Sequence, residues 1–552
     1  MKKLMFIILM GLCSVMLFAQ TEDWLWANRA GGTSYDRGQS ISIDADGNGY
    51  VTGRFQGTAT FGSTTLTSSG SYYTDIFVVK LDPNGNWLWA KQAGGESDDV
   101  GYGIATDAYG NSYVTGYFRG TASFGSTTLT SSGYGDVFVA KLDTNGNWLW
   151  ARQAGGTDHD HGSGFSTDAS GNCYVTGYFS GTVTFGTTTL TSSGDEDVFV
   201  AKLDPNGNWL WAKKAGGASY DYGNGISTDA SGNCYVTGFY QWTASFGSIT
   251  LTSSGVRDIF VAKLDSNGNW LWALQAGGTG GDGGFGISTD ASGNSYVTGY
   301  FMGTASFGST TLTSSGITDI FVAKLDPNGN WLWAQQAGGT GGDIGQGIST
   351  DAIGNCYVTG DFSGTTSFGS TSLTSSGDKD FFVAKLDING NWLWAKKAGG
   401  TSEDYCYGID TDASGNSYVT GYFYETATFG STTLTSSGYD DIFVAKVGES
   451  VEIDDNIAPD ANVVLIGNYP NPFSLQTEIK YELKASAPVR IDIYNLKGQL
   501  VSTLVNEAKT AGLHGVVWNG LDKNNRQVVS GIYYYTMTSG NFTATRKLIL
   551  LK

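Results

Sequence analysis

The motif Trp-Leu-Trp-Ala occurs seven times in this 552-residue chain, and this repetition limits the possible folds more than any other feature. The first spacing between copies is 63 residues and every later one is 61. The copies begin at Trp24, Trp87, Trp148, Trp209, Trp270, Trp331 and Trp392. A long and regular period predicts a repeat architecture in which each unit is one supersecondary structure that packs against its neighbours.

The sequence of each repeat predicts four short strands. In the repeat that ends with the fourth Trp-Leu-Trp-Ala motif, we predict strands at 164–168, 173–179, 197–203 and 208–215. A Thr- and Ser-rich stretch, 182–194, is predicted to form a small extra hairpin. Asn206-Gly207 suits the turn before the fourth strand, because that dipeptide supplies the positive φ angles of a tight hairpin. The third strand is almost continuously apolar, which is typical of a strand buried on both faces.

The two ends of the repeat region are complementary. It begins with a fourth strand alone, 24–30, and stops after a third strand, 441–446. The first strand can therefore complete the last blade and leave no open sheet edge. We predict an all-β chain whose main domain is a closed seven-bladed β-propeller with four-stranded blades.

The repeat resembles a bacterial β-propeller repeat known as SBBP. The residues that carry the resemblance are Asp-Ala-Ser-Gly-Asn-x-Tyr-Val-Thr-Gly-Tyr-Phe, Phe-Val-Ala-Lys-Leu-Asp and Asn-Trp-Leu-Trp, over roughly 24–447. The resemblance implies a propeller and export, and it implies no particular reaction.

The first residues are typical of a secretory signal peptide. Lys2 and Lys3 are followed by an apolar stretch, and Ala19 is a plausible cleavage position. We therefore expect segment 1–19 to be removed, no transmembrane segment in the mature chain, and a secreted or outer-membrane surface location.

Cys173, Cys234 and Cys356 share one repeat position in different blades. We therefore expect these cysteines to be small buried residues and not to form disulfides. The formal net charge of −20 disfavours binding to nucleic acid.

The 61-residue period stops near Glu449. We assign 20–448 to the propeller, 449–464 to a linker, and 465–552 to a small immunoglobulin-like β-sandwich, because apolar alternation and turn residues continue to the end. This last segment resembles the type A sorting domain of the type IX secretion system and the related FlgD-like immunoglobulin fold. Its matching residues are Tyr469, Pro470, Asn471, Pro472, Phe473, Gly498, Gly531 and Lys547. The resemblance implies type IX secretion machinery as a partner, and surface attachment or release afterwards.

Three groups of residues are candidates for a site. An aspartate precedes the first strand of every blade, and these seven residues either line a cation site near the axis or cap their own Gly-rich loops. They are Asp36, Asp99, Asp160, Asp221, Asp282, Asp343 and Asp404. Asp158, His159, Asp160 and His161 hold metal-ligating groups at alternate positions. The turn that begins at Asp82 resembles the start of a calcium loop but lacks a later acidic ligand, which favours a plain hairpin turn.

We find no nucleophile motif and no nucleotide-binding loop, and we assign no catalytic residue and no cofactor, with calcium as the only candidate. The expected function is a monomeric, non-enzymatic surface protein that binds an extracellular ligand such as a glycan or another surface protein. Two alternatives stay open: a secreted polysaccharide hydrolase or lyase that uses one propeller face, and a structural surface component. Unlike residues gathered in one pocket would favour an enzyme, and differences scattered around the rim would favour multivalent binding or a structural role.

Overall fold

A computed structural model of the chain describes residues 21–70, 72–450, 463–471, 473–495, 499–540 and 542–550. The chain divides into two compact units, Met1–Ser450 and Val451–Lys552, and the described residues contain strands and no helix. The expected signal peptide, most of the expected linker, and the sorting-motif residues Pro472 and Gly498 lie outside the described residues.

The strands of the first unit follow one another in a repeating order. In the first half they are β1 (Thr21–Gly32), β2 (Arg37–Ile43), β3 (Gly49–Gln56), β4 (Thr58–Phe61), β5 (Thr64–Thr67), β6 (Thr74–Leu81), β7 (Trp87–Gly95), β8 (Val100–Thr106), β9 (Ser112–Phe118), β10 (Thr121–Phe124), β11 (Thr127–Thr130), β12 (Asp136–Leu142), β13 (Trp148–Ala154), β14 (Asp160–Thr167), β15 (Cys173–Phe185), β16 (Thr188–Leu203) and β17 (Trp209–Gly217). In the second half they are β18 (Asp221–Thr228), β19 (Cys234–Tyr240), β20 (Thr243–Phe246), β21 (Ile249–Thr252), β22 (Asp258–Leu264), β23 (Trp270–Gly278), β24 (Gly283–Thr289), β25 (Ser295–Phe301), β26 (Thr304–Phe307), β27 (Thr310–Thr313), β28 (Asp319–Leu325), β29 (Trp331–Gly339), β30 (Ile344–Thr350), β31 (Cys356–Phe362), β32 (Thr365–Phe368), β33 (Thr371–Thr374), β34 (Asp380–Leu386), β35 (Trp392–Ala398), β36 (Tyr405–Thr411), β37 (Ser417–Phe429) and β38 (Thr432–Ser450).

These strands form the seven blades that the repeat predicts, each with four antiparallel strands. From the inner strand outward, the blades are β2-β3-β6-β7, β8-β9-β12-β13, β14-β15-β16-β17, β18-β19-β22-β23, β24-β25-β28-β29, β30-β31-β34-β35 and β36-β37-β38-β1. The predicted extra hairpin is also present. In five blades it is a separate pair of short strands hydrogen-bonded to the outer strand of the preceding blade, as β4 is to β1.

The first strand closes the ring, as predicted. β1 pairs antiparallel with β38 of the last blade, from Trp24 opposite Val447 to Ala30 opposite Ile442. The inner strands lie side by side, and β2 packs against both β8 and β36, so the ring has no gap between its first and last blades.

The core lies between the blades. The third strand of a blade is buried along its length, as in β12 and β22, because neighbouring blades cover both of its faces. The outer strand differs from the simple alternation that its sequence suggests. Leu88 is an extra residue at a β-bulge between Trp87 and Trp89, so it is exposed while Ala90 is buried. The indole of Trp89 donates a hydrogen bond to the carbonyl of Thr144, in the turn of the next blade.

The second unit consists of two facing sheets. Its strands are β39 (Val463–Tyr469), β40 (Thr477–Leu483), β41 (Ala487–Asn495), β42 (Leu500–Lys509), β43 (Gly512–Trp518), β44 (Gly531–Ser539) and β45 (Phe542–Leu550). The sheets are β39-β40-β43 and β42-β41-β44-β45, and their inner faces share one apolar core that includes Trp518 and Tyr535. This is the predicted small immunoglobulin-like sandwich.

Candidate functional site

The residue that directly follows each repeated aspartate varies strongly, with six residue types in the seven blades. These residues begin the inner strands, and each has a Cα partner near the end of the second strand. The seven pairs, which we call the mouth of the ring, are Arg37/Arg54, Val100/Tyr117, His161/Tyr178, Tyr222/Phe239, Gly283/Tyr300, Ile344/Asp361 and Tyr405/Tyr422. Elsewhere the strands repeat almost the same residues. The chemical differences between blades therefore concentrate at this end of the ring.

Aromatic rings run continuously along one side of the mouth. Tyr102, on the second blade's inner strand, has its ring centroid 4.5 Å from that of His161 on the third blade. His161 stacks on Tyr178 at 4.8 Å, and Tyr178 stacks on Tyr222 of the fourth blade at 4.2 Å. Phe239 continues the row at 4.7 Å from Tyr222. Aromatic contacts thus cross two successive blade junctions.

Charged side chains occupy other parts of the mouth. Lys379 forms an ion pair of 2.8 Å with the buried Asp361, and its ammonium lies 5.0 Å from the ring centroid of Tyr405. The Arg257 guanidinium lies 4.6 Å from the ring centroid of Phe239. Cations beside aromatic faces are favourable, so these contacts stabilise the charged groups at the mouth.

The mouth aromatics do not titrate near neutral pH. Burial lowers the pKa of His161 to about 3 and raises that of Tyr117 to about 12. Burial also raises the pKa of Tyr178 and of Tyr222, the latter helped by a hydrogen bond to Glu196. These groups are therefore neutral at physiological pH, which suits recognition better than proton transfer.

The seven repeated aspartates, here called the ring aspartates, are buried at the blade junctions. One oxygen of each accepts a hydrogen bond of 2.6–2.8 Å from the backbone N–H four residues earlier. In six of them the other oxygen accepts from the N–H twenty residues later, as in Asp221 with Gln241. This geometry is that of backbone caps, and a cation role for these residues stays a prediction.

A second buried carboxylate accompanies each ring aspartate. It lies where the buried part of the third strand begins in the preceding blade, and the pair flanks a glycine. An ideal Cβ on Gly216 would be 2.5 Å from Asp197 and 2.9 Å from Asp221. Burial raises the pKa of the ring aspartates to about 6 to 8, with a smaller effect from the neighbouring carboxylate.

The structure does not gather the four candidate metal ligands into one site. Asp160 is a ring aspartate, His161 lies among the mouth tyrosines, and His159 stacks on the exposed Tyr134 at 5.2 Å. Asp158 takes a hydrogen bond from Thr157. Among the residues that the structure describes, no group of three or more His, Cys, Asp or Glu side chains is arranged to hold a metal ion.

The turn that begins at Asp82 is a hydrogen-bonded hairpin turn. Oδ1 of Asp82 accepts from the backbone N–H groups of Asn84 and Asn86, and Oδ2 accepts from the Asn86 side chain at 2.7 Å. The carboxylate oxygens that would bind calcium are thus used within the turn.

The described cysteines are free and buried, as predicted.

In the second unit, the motif residues fasten the start of the sandwich to its last strand. Asn471 accepts a hydrogen bond from the N–H of Ile549 and donates one to the carbonyl of Lys547. Phe473 is buried against Trp518, at 5.6 Å between ring centroids. Tyr469 is exposed, Pro470 accepts a hydrogen bond from Thr477, and Gly531 begins β44.

Comparison with known families agrees with this architecture. The SBBP model, described as a beta-propeller repeat, matches residues 88–117, 210–238 and 393–422. The FlgD Ig-like domain model matches residues 473–541. The chain therefore contains SBBP β-propeller repeats and a FlgD Ig-like domain.

Curated relatives and solved structures resemble the chain only distantly. The uncharacterized WD repeat-containing protein L264 of Acanthamoeba polyphaga mimivirus is 25% identical over 503 residues, which cover 72% of this chain and 36% of that protein. The regulatory protein FlaEY of Caulobacter vibrioides is 27% identical over 357 residues, covering 59% of this chain and 36% of FlaEY. The chain thus spans about a third of the length of these relatives. PorZ, a surface component of the type IX secretion system of Porphyromonas gingivalis, shares 11% identity over 92% of this chain and 74% of its own, with a TM-score of 0.22.

Sequence reasoning missed most of the mouth. His161 was a candidate only as a metal ligand, and residues such as Arg54, Tyr102 and Tyr222 were not singled out. A signal was present, since the residue after each ring aspartate differs from one repeat to the next, while the aspartate before it is constant and the residue after it is Gly in six of the seven repeats. The pairing of that residue with the second strand is what the structure adds.

Proposed function

We propose that this protein is a non-enzymatic binding protein of the cell surface, whose ligand site is the mouth of the propeller. The observation that carries the proposal is the concentration of unlike side chains at the mouth of an otherwise repetitive ring. A role that only required a rigid ring would not favour different residues there. Catalysis is less well supported, because the differences are spread over all seven blades and the mouth aromatics stay neutral.

Exposed aromatic side chains extend the mouth outward. Tyr439 is 57% exposed and stacks on Tyr35 at 4.7 Å, and Tyr134 is 68% exposed. Tyr134 lies in the loop before β12 and Tyr439 lies within β38, two residues before Asp441, so both are at the same end of the ring as the inner-strand starts. Exposed aromatics beside a half-buried aromatic row are the kind of surface that binds ligands, because they bury large areas at small entropic cost.

Binding by the full-length protein to a glycan array tests this site. Tyr222→Ala removes a ring from the centre of the row, and Tyr109→Ala is the matched control, since Tyr109 is 83% exposed in a turn at the other end of its blade. We expect the first variant to lose binding and the second to keep it. Equal binding by both variants would show that the ligand, if bound, uses another surface.

We further propose that the second unit is a type IX sorting domain that directs export to the cell surface. The matched FlgD Ig-like domain and the motif residues that fasten β39 to β45 support this proposal. We expect a chain without residues 463–552 to accumulate in the periplasm of its host, as seen by cell fractionation. Delivery of that chain to the surface at the wild-type level would refute the sorting role.

None of the described residues forms a helix that is long and apolar enough to cross a membrane.

A further inference from the structure

Arginine is unusually placed in this acidic chain. Residues 21–450 contain six arginines, and four of them, Arg37, Arg54, Arg119 and Arg257, lie at or beside the mouth. The whole chain carries a formal charge of −20, so positive charge is otherwise scarce. The first and second blades hold three of these four arginines.

Only one of the four, Arg37, forms an ion pair with a carboxylate within the described part of the chain. Arg37 is hydrogen-bonded to Asp440, and Arg257 bonds the hydroxyl of Tyr300. Arg54 and Arg119, in contrast, form no ion pair within the described part of the chain, and the buried Nε of each has no hydrogen-bond partner there. Asp440 also acts electrostatically on Arg54, but its hydrogen bond goes to Arg37.

The arrangement brings like charges together. Arg37 and Arg54 are Cα partners across β2 and β3, and like charges directly opposite each other in a sheet are destabilising. The charges of Arg37, Arg54 and Arg119 all act on the hydroxyl of Tyr102. A partly desolvated guanidinium with an unsatisfied N–H costs free energy that a bound anion would recover, and guanidinium binds oxyanions in a directional, bidentate way.

Two exposed tyrosines are next in sequence to residues that contact Arg119 and Arg37. Gly135 lies against the side chains of Arg119 and Tyr117, and the residue before it is the exposed Tyr134. The exposed Tyr439 directly precedes Asp440, the partner of Arg37. Tyrosine faces pack well against the C–H faces of sugar rings, so exposed tyrosines near arginines suit a chain of acidic sugars.

We propose that Arg54 and Arg119 bind the carboxylate or sulfate groups of an acidic polysaccharide, while Tyr134 and Tyr439 stack on its sugar rings. This inference rests on the proposed function of the mouth and names the class of its ligand. It predicts that affinity depends on the charge of the polysaccharide as well as on its shape.

The test is a titration of the full-length protein with paired polysaccharides of the same backbone. Polygalacturonate is compared with its methyl ester, and dextran sulfate with dextran, so that the two arms separate carboxylate from sulfate recognition. Arg54→Gln and Arg119→Gln keep much of the side-chain stem, and Arg152→Gln is the control, since Arg152 lies on an outer strand and bonds backbone carbonyls. Melting temperatures show whether each variant is folded.

We expect at least one acidic polymer to bind about tenfold or more tightly than its neutral partner, because charge-assisted hydrogen bonds contribute that much or more. Each of Arg54→Gln and Arg119→Gln should weaken that binding about tenfold, and Arg152→Gln should not. Equal binding of acidic and neutral partners, abolished by Tyr222→Ala, would overturn this inference and leave the binding role of the mouth intact. Failure of all acidic polymers to bind, or binding unchanged in both arginine variants, would also overturn it.

Discussion

The ring aspartates offer a direct test of what each blade needs from its repeated carboxylate. Asp221 is fully buried, and it accepts hydrogen bonds from the backbone N–H groups of Gly217 at 2.7 Å and Gln241 at 3.1 Å. In Asp221→Ala both N–H groups lose their acceptor. Each buried donor left without a partner costs about 1–3 kcal/mol, so the two together cost about 2–6 kcal/mol. Water entering the vacated space would place the total toward the lower end of that range. We therefore expect the free energy of unfolding to fall by about 3 kcal/mol.

The assay is urea denaturation followed by tryptophan fluorescence, with the midpoint and slope determined for each variant. Asp195→Ala is the matched control, because Asp195 is an exposed aspartate two residues before Asp197, which flanks Gly216 together with Asp221. The control should change the free energy of unfolding by no more than about 0.5 kcal/mol. The same measurements are repeated with calcium and with a chelator.

The result separates the two interpretations of these residues. Backbone caps predict a loss of stability in Asp221→Ala that is the same with and without calcium. A cation site predicts that calcium stabilises the wild-type protein and not the variant. If Asp221→Ala is as stable as Asp195→Ala, the capping argument is wrong.

Three further predictions follow from the described geometry. Ala27→Asp, in the middle of the β1–β38 pairing opposite Ala445, should destabilise the propeller by about 3 kcal/mol or more in urea denaturation, because it places a carboxylate in the apolar core between two blades. Wild-type stability would show that closure by β1 is unimportant. The propeller should unfold at a lower urea concentration at about pH 8 than at about pH 5, because burial raises the pKa of each ring aspartate to about 6 to 8 in the folded state. The stability that these groups contribute is lost as the pH rises from their unfolded pKa, near 4, through their folded pKa. A rise in stability over that range would contradict the argument. Asn471→Ala removes two hydrogen bonds to β45, so the backbone N–H of Ile549 should exchange its hydrogen faster, while exchange in the propeller strands stays unchanged. An unaltered exchange rate at Ile549 would refute the role of Asn471 in holding β45.

Much of the architecture was predictable from sequence because repetition multiplies weak signals. One run such as Asp197 to Leu203 could belong to several folds, but seven copies at a constant period indicate one blade repeated around an axis. The complementary ends of the repeat region then predicted that β1 completes the last blade, and the pairing of β1 with β38 confirms it. The bulge that exposes Leu88 was not predictable, since it depends on the register between two strands.

The mouth illustrates what local sequence could not determine. Arg37 and Arg54 are seventeen positions apart in the sequence, and Tyr178 and Tyr222 belong to different blades, so only strand register and ring closure bring each pair together. Charge counting showed an acidic chain and gave no reason to look for a cationic site. The proposed site rests on Arg54 and Arg119, whose buried Nε atoms have no hydrogen-bond partner in the described part of the chain, while Asp440 bonds Arg37.

The sequence by itself thus determined the number of blades, their strand order and the way the ring closes, because those properties repeat along the chain. The tertiary structure decided which residues meet at the mouth, because side chains from different strands and blades become neighbours only when the strands pair and adjacent blades pack together.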